Sequence, residues 1–417
     1  CPKGLPVSDI RQRPDAEDAR RAAAIDRIVL IGNEHSRLGG VSAFMDTLAH
    51  GFLDRGYAVE IIGMKPTPKA VRVNFGRDPR IRVRTIYDIE PPAWQRLSGL
   101  HRLNPKKAAS RRRWDSLRHD AIDRLRPIVA EWGPETLVIC TQIYAMEHLI
   151  PAGLECGLID SPYVITQYHG SRQGSVLSGS IRRLRRWYAD SDRMLALTAE
   201  DAEQFRRLDQ LNNTGWVFNP LPPGRETSVH RHNEVVSLGR YDREKSLDWV
   251  LRAWAALAPD FPDWRLRLYG EGASRDSLAS LIDRLGIAGS ATLEGITADP
   301  EGALRRAKIH VMSSQHEGLP LTIAEAGRAG VPTVSFDSSP GVRALIANCD
   351  DGVLVPKNHL VALVDSLRCL MSDEGVREAM GVRAHERSSR FDLGVILDVW
   401  EHEMRALAGP TDLEKEA

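Results

Sequence analysis

No stretch of this chain approaches the ~18 consecutive apolar residues that a bilayer-spanning helix needs, and no signal-peptide pattern is visible. The expectation is a cytoplasmic protein. Net charge is also missing, since 56 Lys and Arg balance 56 Asp and Glu. Local basic runs exist, but no nucleic-acid-binding module accompanies them, which argues against a nucleic acid partner. Cysteine is sparse. The five present (Cys1, Cys140, Cys156, Cys349 and Cys369) include no C-x-x-C pair, so neither a zinc site nor a disulfide framework is indicated. The dinucleotide fingerprint G-x-G-x-x-G does not follow the first strand pattern, Arg27 to Gly32; Leu38-Gly39-Gly40-Val41-Ser42 stands there instead. An NAD-dependent dehydrogenase is thereby disfavoured.

What is present is alternation. Short apolar runs read as strands near Arg27 to Gly32, Ala58 to Ile62, Ile81 to Ile86, Thr136 to Thr141, Tyr163 to His169 and Met194 to Thr198, with helical segments between them. After the break Phe218-Asn219-Pro220-Leu221-Pro222-Pro223-Gly224, strand patterns resume near Val235, Leu266, Ile309 and Val334. A length of 417 residues suits two domains of this kind, with residues 219 to 232 as the linker. Thr198 reads as a helix cap, and Leu247 to Leu257 and Phe391 to Leu407 read as amphipathic helices.

Two segments of the second half carry chemistry. Glu317-Gly318-Leu319-Pro320-Leu321-Thr322-Ile323-Ala324-Glu325 joins a strand (Ala307 to Ser314) to a helix predicted over Pro320 to Ala329. Glu317 falls in the loop before the positive helix end, and Glu325 about one and a half turns deeper, at ~1.5 Å rise per residue. One carboxylate can meet a sugar ring and the other a ribose. Upstream, Gly239-Arg240-Tyr241-Asp242-Arg243-Glu244-Lys245-Ser246 sets two cations on a loop after a buried strand. Arg240 can fork onto two phosphate oxygens and Lys245 can act as a point charge. Their alternative is a pair of solvated cations neutralised by Asp242 and Glu244.

In order and content these residues resemble the retaining family-4 glycosyltransferases of the GT-B fold: Gly239, Arg240 and Lys245, then Gly270-Glu271-Gly272, then a strand ending at Gly295, then Glu317 to Glu325. The resemblance implies an α/β architecture of two Rossmann-like, doubly wound domains facing a central cleft, with a C-terminal helix crossing back. It gives an acceptor-binding domain over residues 25-222, a nucleotide-sugar-binding domain over 223-390, a closing helix over 391-409, and flexible ends at 1-24 and 410-417. It also implies roles. Arg240 and Lys245 hold a diphosphate, backbone at Ile296 and Thr297 meets the base, Glu325 holds ribose hydroxyls, and Glu317 faces the donor sugar. Gly39 and Gly40 approach the donor from the first domain, His169 contacts its sugar, and Gly239, Gly270, Gly318, Leu319, Pro320 and Leu321 line the donor site. Ser246 departs from the family, which has Gly after the Lys. The expected reaction moves a hexose or N-acetylhexosamine from a UDP-sugar, a co-substrate and not a cofactor, to a glycan, glycolipid or anionic wall-polymer hydroxyl with retention.

Asp190-Ser191-Asp192 has the metal-binding D-x-D form but precedes a strand pattern instead of following one, so a helix-to-strand turn is expected and no metal. Basic residues crowd Arg96, Arg102, Lys106, Lys107, Arg111, Arg112, Arg113 and Arg118, interleaved with Trp94, Leu97, Leu100 and Leu103, and again Arg182, Arg183, Arg185 and Arg186. They read either as solvated helix faces or as a peripheral contact with membrane headgroups or a polyanionic acceptor. Two other functions share the architecture: a UDP-sugar epimerase or hydrolase, and a non-catalytic nucleotide-sugar-binding subunit.

Overall fold

The computed structural model describes residues 25–37, 39–69, 72–92, 104–224 and 230–408. Its first half is a seven-stranded sheet of β1 (Arg27–Gly32), β2 (Ala58–Gly63), β3 (Arg82–Thr85), β4 (Thr136–Cys140), β5 (Tyr163–Gln167), β6 (Arg193–Ala196) and β7 (Thr214–Trp216). The order is β3-β2-β1-β4-β5-β6-β7, every pair parallel. Parallel strands need crossover helices, which cover both faces and demand apolar residues on both. β1 meets that demand: Val29 and Ile31 enter one core, Ile28 and Leu30 the other. The crossovers are α1 (Gly40–Asp54), α2 (Pro105–Val129), α3 (Ile143–Leu149), α4 (Arg172–Leu177), α5 (Ile181–Trp187) and α6 (Ala199–Asp209).

The second half repeats the plan with six strands: β8 (Glu234–Leu238), β9 (Arg265–Tyr269), β10 (Ala291–Gly295), β11 (Ile309–Met312), β12 (Thr333–Phe336) and β13 (Gly352–Val355), in the order β10-β9-β8-β11-β12-β13. Its helices are α7 (Leu247–Leu257), α8 (Arg275–Leu285), α9 (Pro300–Arg306), α10 (Leu321–Arg328), α11 (Pro340–Leu345), α12 (Leu360–Ser372) and α13 (Glu374–Ser388). In each sheet the order reverses once, between β1 and β4 and between β8 and β11. Those are the topological switch points, where crossovers leave to opposite faces and a crevice opens beyond the strand ends.

The last helix, α14 (Leu393–Ala408), returns to the first sheet. Ile396, Leu397, fully buried Trp400 and Met404 join Phe44, Leu48 and Phe52 of α1 in one core. Arg55 clamps it through Asp398 at 2.6 Å and Glu401 at 2.8 Å, and Arg193 through Glu403 at 2.8 Å. The helix begins two residues later than the amphipathic run starting at Phe391, because Ser389–Phe391 forms a separate turn. A third apolar cluster joins the halves, with Leu197 and Leu221 packing among Met312, Leu319, Ile323 and Phe391. Among the described residues no helix is long and apolar enough to cross a membrane.

Candidate active site

The residues singled out in the second half converge on its switch point. Gly239 and Arg240 leave β8 while Glu317 leaves β11, its neighbour across the reversal. Hydrogen bonds stitch the two loops together: Ser313 Oγ donates to the carbonyls of Lys245 and Ser246, both at 2.9 Å, and Gln315 N donates to Glu244 O at 2.7 Å. The result is a contact that no local pattern announces. Lys245 Nζ lies 2.6 Å from Glu317 Oε1, the two side chains 24% and 14% exposed. The diphosphate cation and the sugar-facing carboxylate of the sequence reading are therefore direct partners.

Arg240 stands apart. Its side chain is 74% exposed and lies 3.1 Å from Asp242, so the neutralising partner weighed for it is the one it has. The glycines beneath are close-packed. A Cβ on Gly270 would strike the carbonyl of Gly239, and one on Gly272 the backbone of Tyr241. Gly270 N also donates to Gly295 O at 2.8 Å, tying the ends of β8, β9 and β10 into one floor. Ile296, just past β10 and beside Thr297, is an apolar side chain left 60% exposed.

Helix α10 starts at Leu321, with Pro320 as its cap at φ −75° instead of its first residue, and ends at Arg328. A proline at this boundary gives up no helical hydrogen bond. Glu325 sits one turn inside the helix, half-buried, and its carboxylate has neither a hydrogen bond nor an ion pair among the described residues. Burial pushes its pKa up, with Arg328 opposing and Glu301 adding to the rise. A desolvated carboxylate is costly to keep charged, and a pair of ligand hydroxyls would relieve it. Ser246, the departure from the family pattern, adopts φ 47° and ψ 42°, a left-handed conformation that glycine enters without strain and serine does not.

Across the cleft, His169 follows β5. Asn219 Nδ2 lies 3.4 Å from its Nδ1, Phe44 packs against its ring at 4.7 Å between centroids, and Nε2 is buried without a partner. Burial lowers its pKa to about 3. With the Asn219 amide donating to Nδ1, the neutral ring carries its hydrogen on Nε2, a donor aimed at no protein group. The halves touch here, for a Cβ on Gly318 would collide with the carbonyl of His169 and one on Gly341 with the carbonyl of Gly318. Gly39 (φ 154°) caps α1 without a side chain, and a Cβ on Gly39 or Gly40 would meet nothing within 4 Å. The site residues thus come from both halves, although neither Arg240 nor Glu325 is joined to the Lys245–Glu317 pair by a hydrogen bond or ion pair among the described residues.

Sequence reasoning passed over several cleft groups. Ser314 Oγ, His316 Nδ1 and Ser338 Oγ are buried and unpartnered; unlike Glu317, they carry no motif. Asp192 of the D-x-D stretch accepts from Val164 N at 2.8 Å just before β6, a structural turn. Lys106, Arg112 and Arg113 lie in the first half of α2, where no residue is buried. Arg118 and Arg183 both bind Glu147. Trp94, Arg96, Leu97, Leu100, Arg102 and Leu103 lie outside the described residues.

Residues 224–387 match the family described as glycosyl transferases group 1. Among curated proteins, an exopolysaccharide phosphotransferase of Streptomyces coelicolor is 35% identical over 198 residues, 47% of this chain and 21% of that protein. A poly(glycerol-phosphate) alpha-glucosyltransferase of Bacillus subtilis is 21% identical over 214 residues, 50% of this chain and 32% of that one. The chain thus spans about a fifth and a third of the length of these two relatives. Among solved structures, S. aureus TarM in complex with UDP superposes with a TM-score of 0.71 at 14% identity, covering 91% of this chain and 99% of that one. The fold is GT-B, and residues 224–387 are similar to the glycosyl transferases group 1 family.

Proposed function

We propose that this chain is a retaining glycosyltransferase that moves a hexose or N-acetylhexosamine from a UDP-sugar to an acceptor hydroxyl in the synthesis of cell-envelope polysaccharide, glycolipid or wall polymer. The observation that carries this reading is the Lys245–Glu317 pair at the switch point. Cleaving a glycosyl phosphate separates charge, leaving an oxocarbenium-like sugar and a diphosphate. A carboxylate and an ammonium held side by side complement that separation before it develops. Lys245 has three N–H donors and gives one to Glu317, so two remain for phosphate oxygens. Arg240 is free to swing from Asp242 onto the second phosphate. These cations provide the charge stabilisation that a metal ion supplies in other transferases.

The remaining parts fit the same reaction. Glu325 accepts the ribose hydroxyls, Ile296 and Thr297 border the base, and His169 donates from Nε2 to a sugar hydroxyl. The acceptor enters from the leaving-group face, and the departing phosphate takes its proton. Retention is supported by the alpha linkage in the name of the Bacillus subtilis relative and the donor nucleotide by the UDP bound to TarM. Work in the cytoplasm, where nucleotide sugars are made, belongs to the same proposal.

The test separates the two members of the pair. Glu317→Gln keeps a hydrogen-bond acceptor for Lys245 and loses the charge, so donor turnover is expected to fall on the order of 10²-fold with UDP affinity within about threefold of the parent. Lys245→Ala is expected to weaken both. Equal loss of UDP affinity in the two variants contradicts this division of roles.

A further inference from the structure

Which ring nitrogen of His169 carries the hydrogen decides whether the residue gives a hydrogen bond to a sugar oxygen or only accepts one. No charged group makes that choice. Burial is the one cause that lowers the ring's pKa to about 3, so the choice between the two neutral forms falls to the neutral groups around it. Among the described residues a single polar side chain meets a ring nitrogen: Asn219, whose Nδ2 lies 3.4 Å from Nδ1. Phe44, edge-on to the ring, offers no polar atom. Asn219 is held in turn by Gln167, the last residue of β5, whose Nε2 donates to Asn219 Oδ1 at 3.4 Å. Gln167 is 0% and Asn219 5% exposed, so water does not compete for either amide. The two amides fix each other's orientation. As they stand, the group left over is Gln167 Oε1, a buried acceptor without a partner. Turning both over would let Asn219 Oδ1 accept from Nδ1, but it would leave the Gln167 amino group buried with no acceptor. Orphaned buried N–H groups are rarer than orphaned carbonyl oxygens, so the chain of donors runs from Gln167 through Asn219 to His169 Nδ1. The ring hydrogen is then on Nε2, the atom that has no partner in the protein.

We propose that Asn219 and Gln167 are positioning residues that lock His169 in the form with its hydrogen on Nε2, so that the site favours a donor sugar presenting an oxygen acceptor to that nitrogen. This rests on the glycosyltransferase reading above and deepens its donor half. The place of Asn219 in the chain adds a consequence. It lies on the segment that joins the two halves, between Phe218 and Leu221, and both of these are pinned to the segment that returns. Phe218 packs on Phe391 with ring centroids 5.0 Å apart, and Leu221 N donates to Phe391 O at 2.8 Å. The side chain that sets the hydrogen on His169 is therefore carried by the junction of the halves, and sugar recognition is tied to the way they are joined.

The test replaces Asn219 by a group that can only accept. Asn219→Asp is nearly isosteric and puts a carboxylate opposite Nδ1, which draws the hydrogen there. Nitrogen-15 NMR of the labelled full chain at pH 8, with His169→Gln to assign the signal, should find the hydrogen on Nε2 in the parent and on Nδ1 in Asn219→Asp. Gln167→Leu unties Asn219 without adding charge; it should show both forms, and it carries the test if Asn219→Asp does not fold. Donor hydrolysis by Asn219→Asp should fall on the order of 10²-fold, with UDP affinity within about twofold, since UDP lacks the sugar. When His169→Gln is already present, Asn219→Asp should cost less than about threefold more, whereas a purely structural role would cost as much as before. Hydrogen on Nδ1 in the parent, the parent form unchanged in both variants, or full additivity with His169→Gln would overturn the proposal. Absence of UDP binding and donor turnover in the parent would instead sink the transferase reading, and the NMR signal reads His169 without either.

Discussion

Glu325 is the residue whose energetics and proposed role pull in opposite directions. Its carboxylate is desolvated, with no hydrogen bond or ion pair among the described residues, and its pKa is raised, so keeping it charged opposes folding at neutral pH. Glu325→Gln removes that cost and one charged acceptor for ribose. Thermal stability should rise, while UDP affinity falls by about tenfold, both readable in melting curves with and without UDP. Ser246 sits at φ 47°, and Ser246→Gly should stabilise by about 1 kcal/mol, seen as a rise of about 2 °C in melting temperature. His169 and His310 set a pH dependence. Burial holds each neutral to about pH 3, against an ordinary value of 6.5. Between those values the unfolded chain binds protons that the folded chain refuses. Their contribution is present above pH 6.5 and is lost as pH falls toward 3. Urea unfolding at pH 7 and pH 5 should show the loss, and His310→Gln should reduce the slope by about one proton.

At the scale of elements, one tight approach between the halves is the loop carrying Gly318. A methyl group there meets the carbonyl of His169, so Gly318→Ala must push the β11–α10 loop away from the end of β5. Turnover should drop on the order of 10²-fold with the fold retained, since catalysis tolerates about 1 Å of misplacement poorly. Near-native turnover would show that the contact is incidental. These elements also show what a sequence reveals. Leu247 to Leu257 coincides with α7 because its apolar stripe is periodic and bounded by a loop, and Thr198 caps α6 by accepting from Asp201 N at 3.1 Å. The E-x7-E helix differs by one residue at each end. Strand β7, of three residues, is too short to carry a period. The 25-residue α2 has no buried residue in its first half and so no stripe to read. The Lys245–Glu317 contact joins residues 72 apart, a distance that only the sheet order closes.

For the whole molecule, α14 ties the end of the second half to the first sheet, and its components differ in magnitude. Trp400 is fully buried against Phe52, with ring centroids 6.4 Å apart, so Trp400→Ala should cost about 3–5 kcal/mol. The clamps from Arg55 are partly solvated, and Arg55→Ala should cost under about 1 kcal/mol. Denaturant unfolding of the two variants ranks them, and the reverse order would mean that charge and not packing holds the helix. The two switch points then face one cleft, with Lys245 and Glu317 on one wall and His169, Gly39 and Gly40 on the other. The central claim is that this cleft transfers a sugar with retention. It is tested most directly by a proton-NMR time course of the purified chain with a panel of UDP- and GDP-sugars, first alone and then with a glycolipid and wall-polymer extract as acceptor. The account predicts slow hydrolysis of one UDP-sugar alone and rapid formation of an α-linked product with acceptor. A β-linked product, or conversion to an isomeric nucleotide sugar, would contradict it.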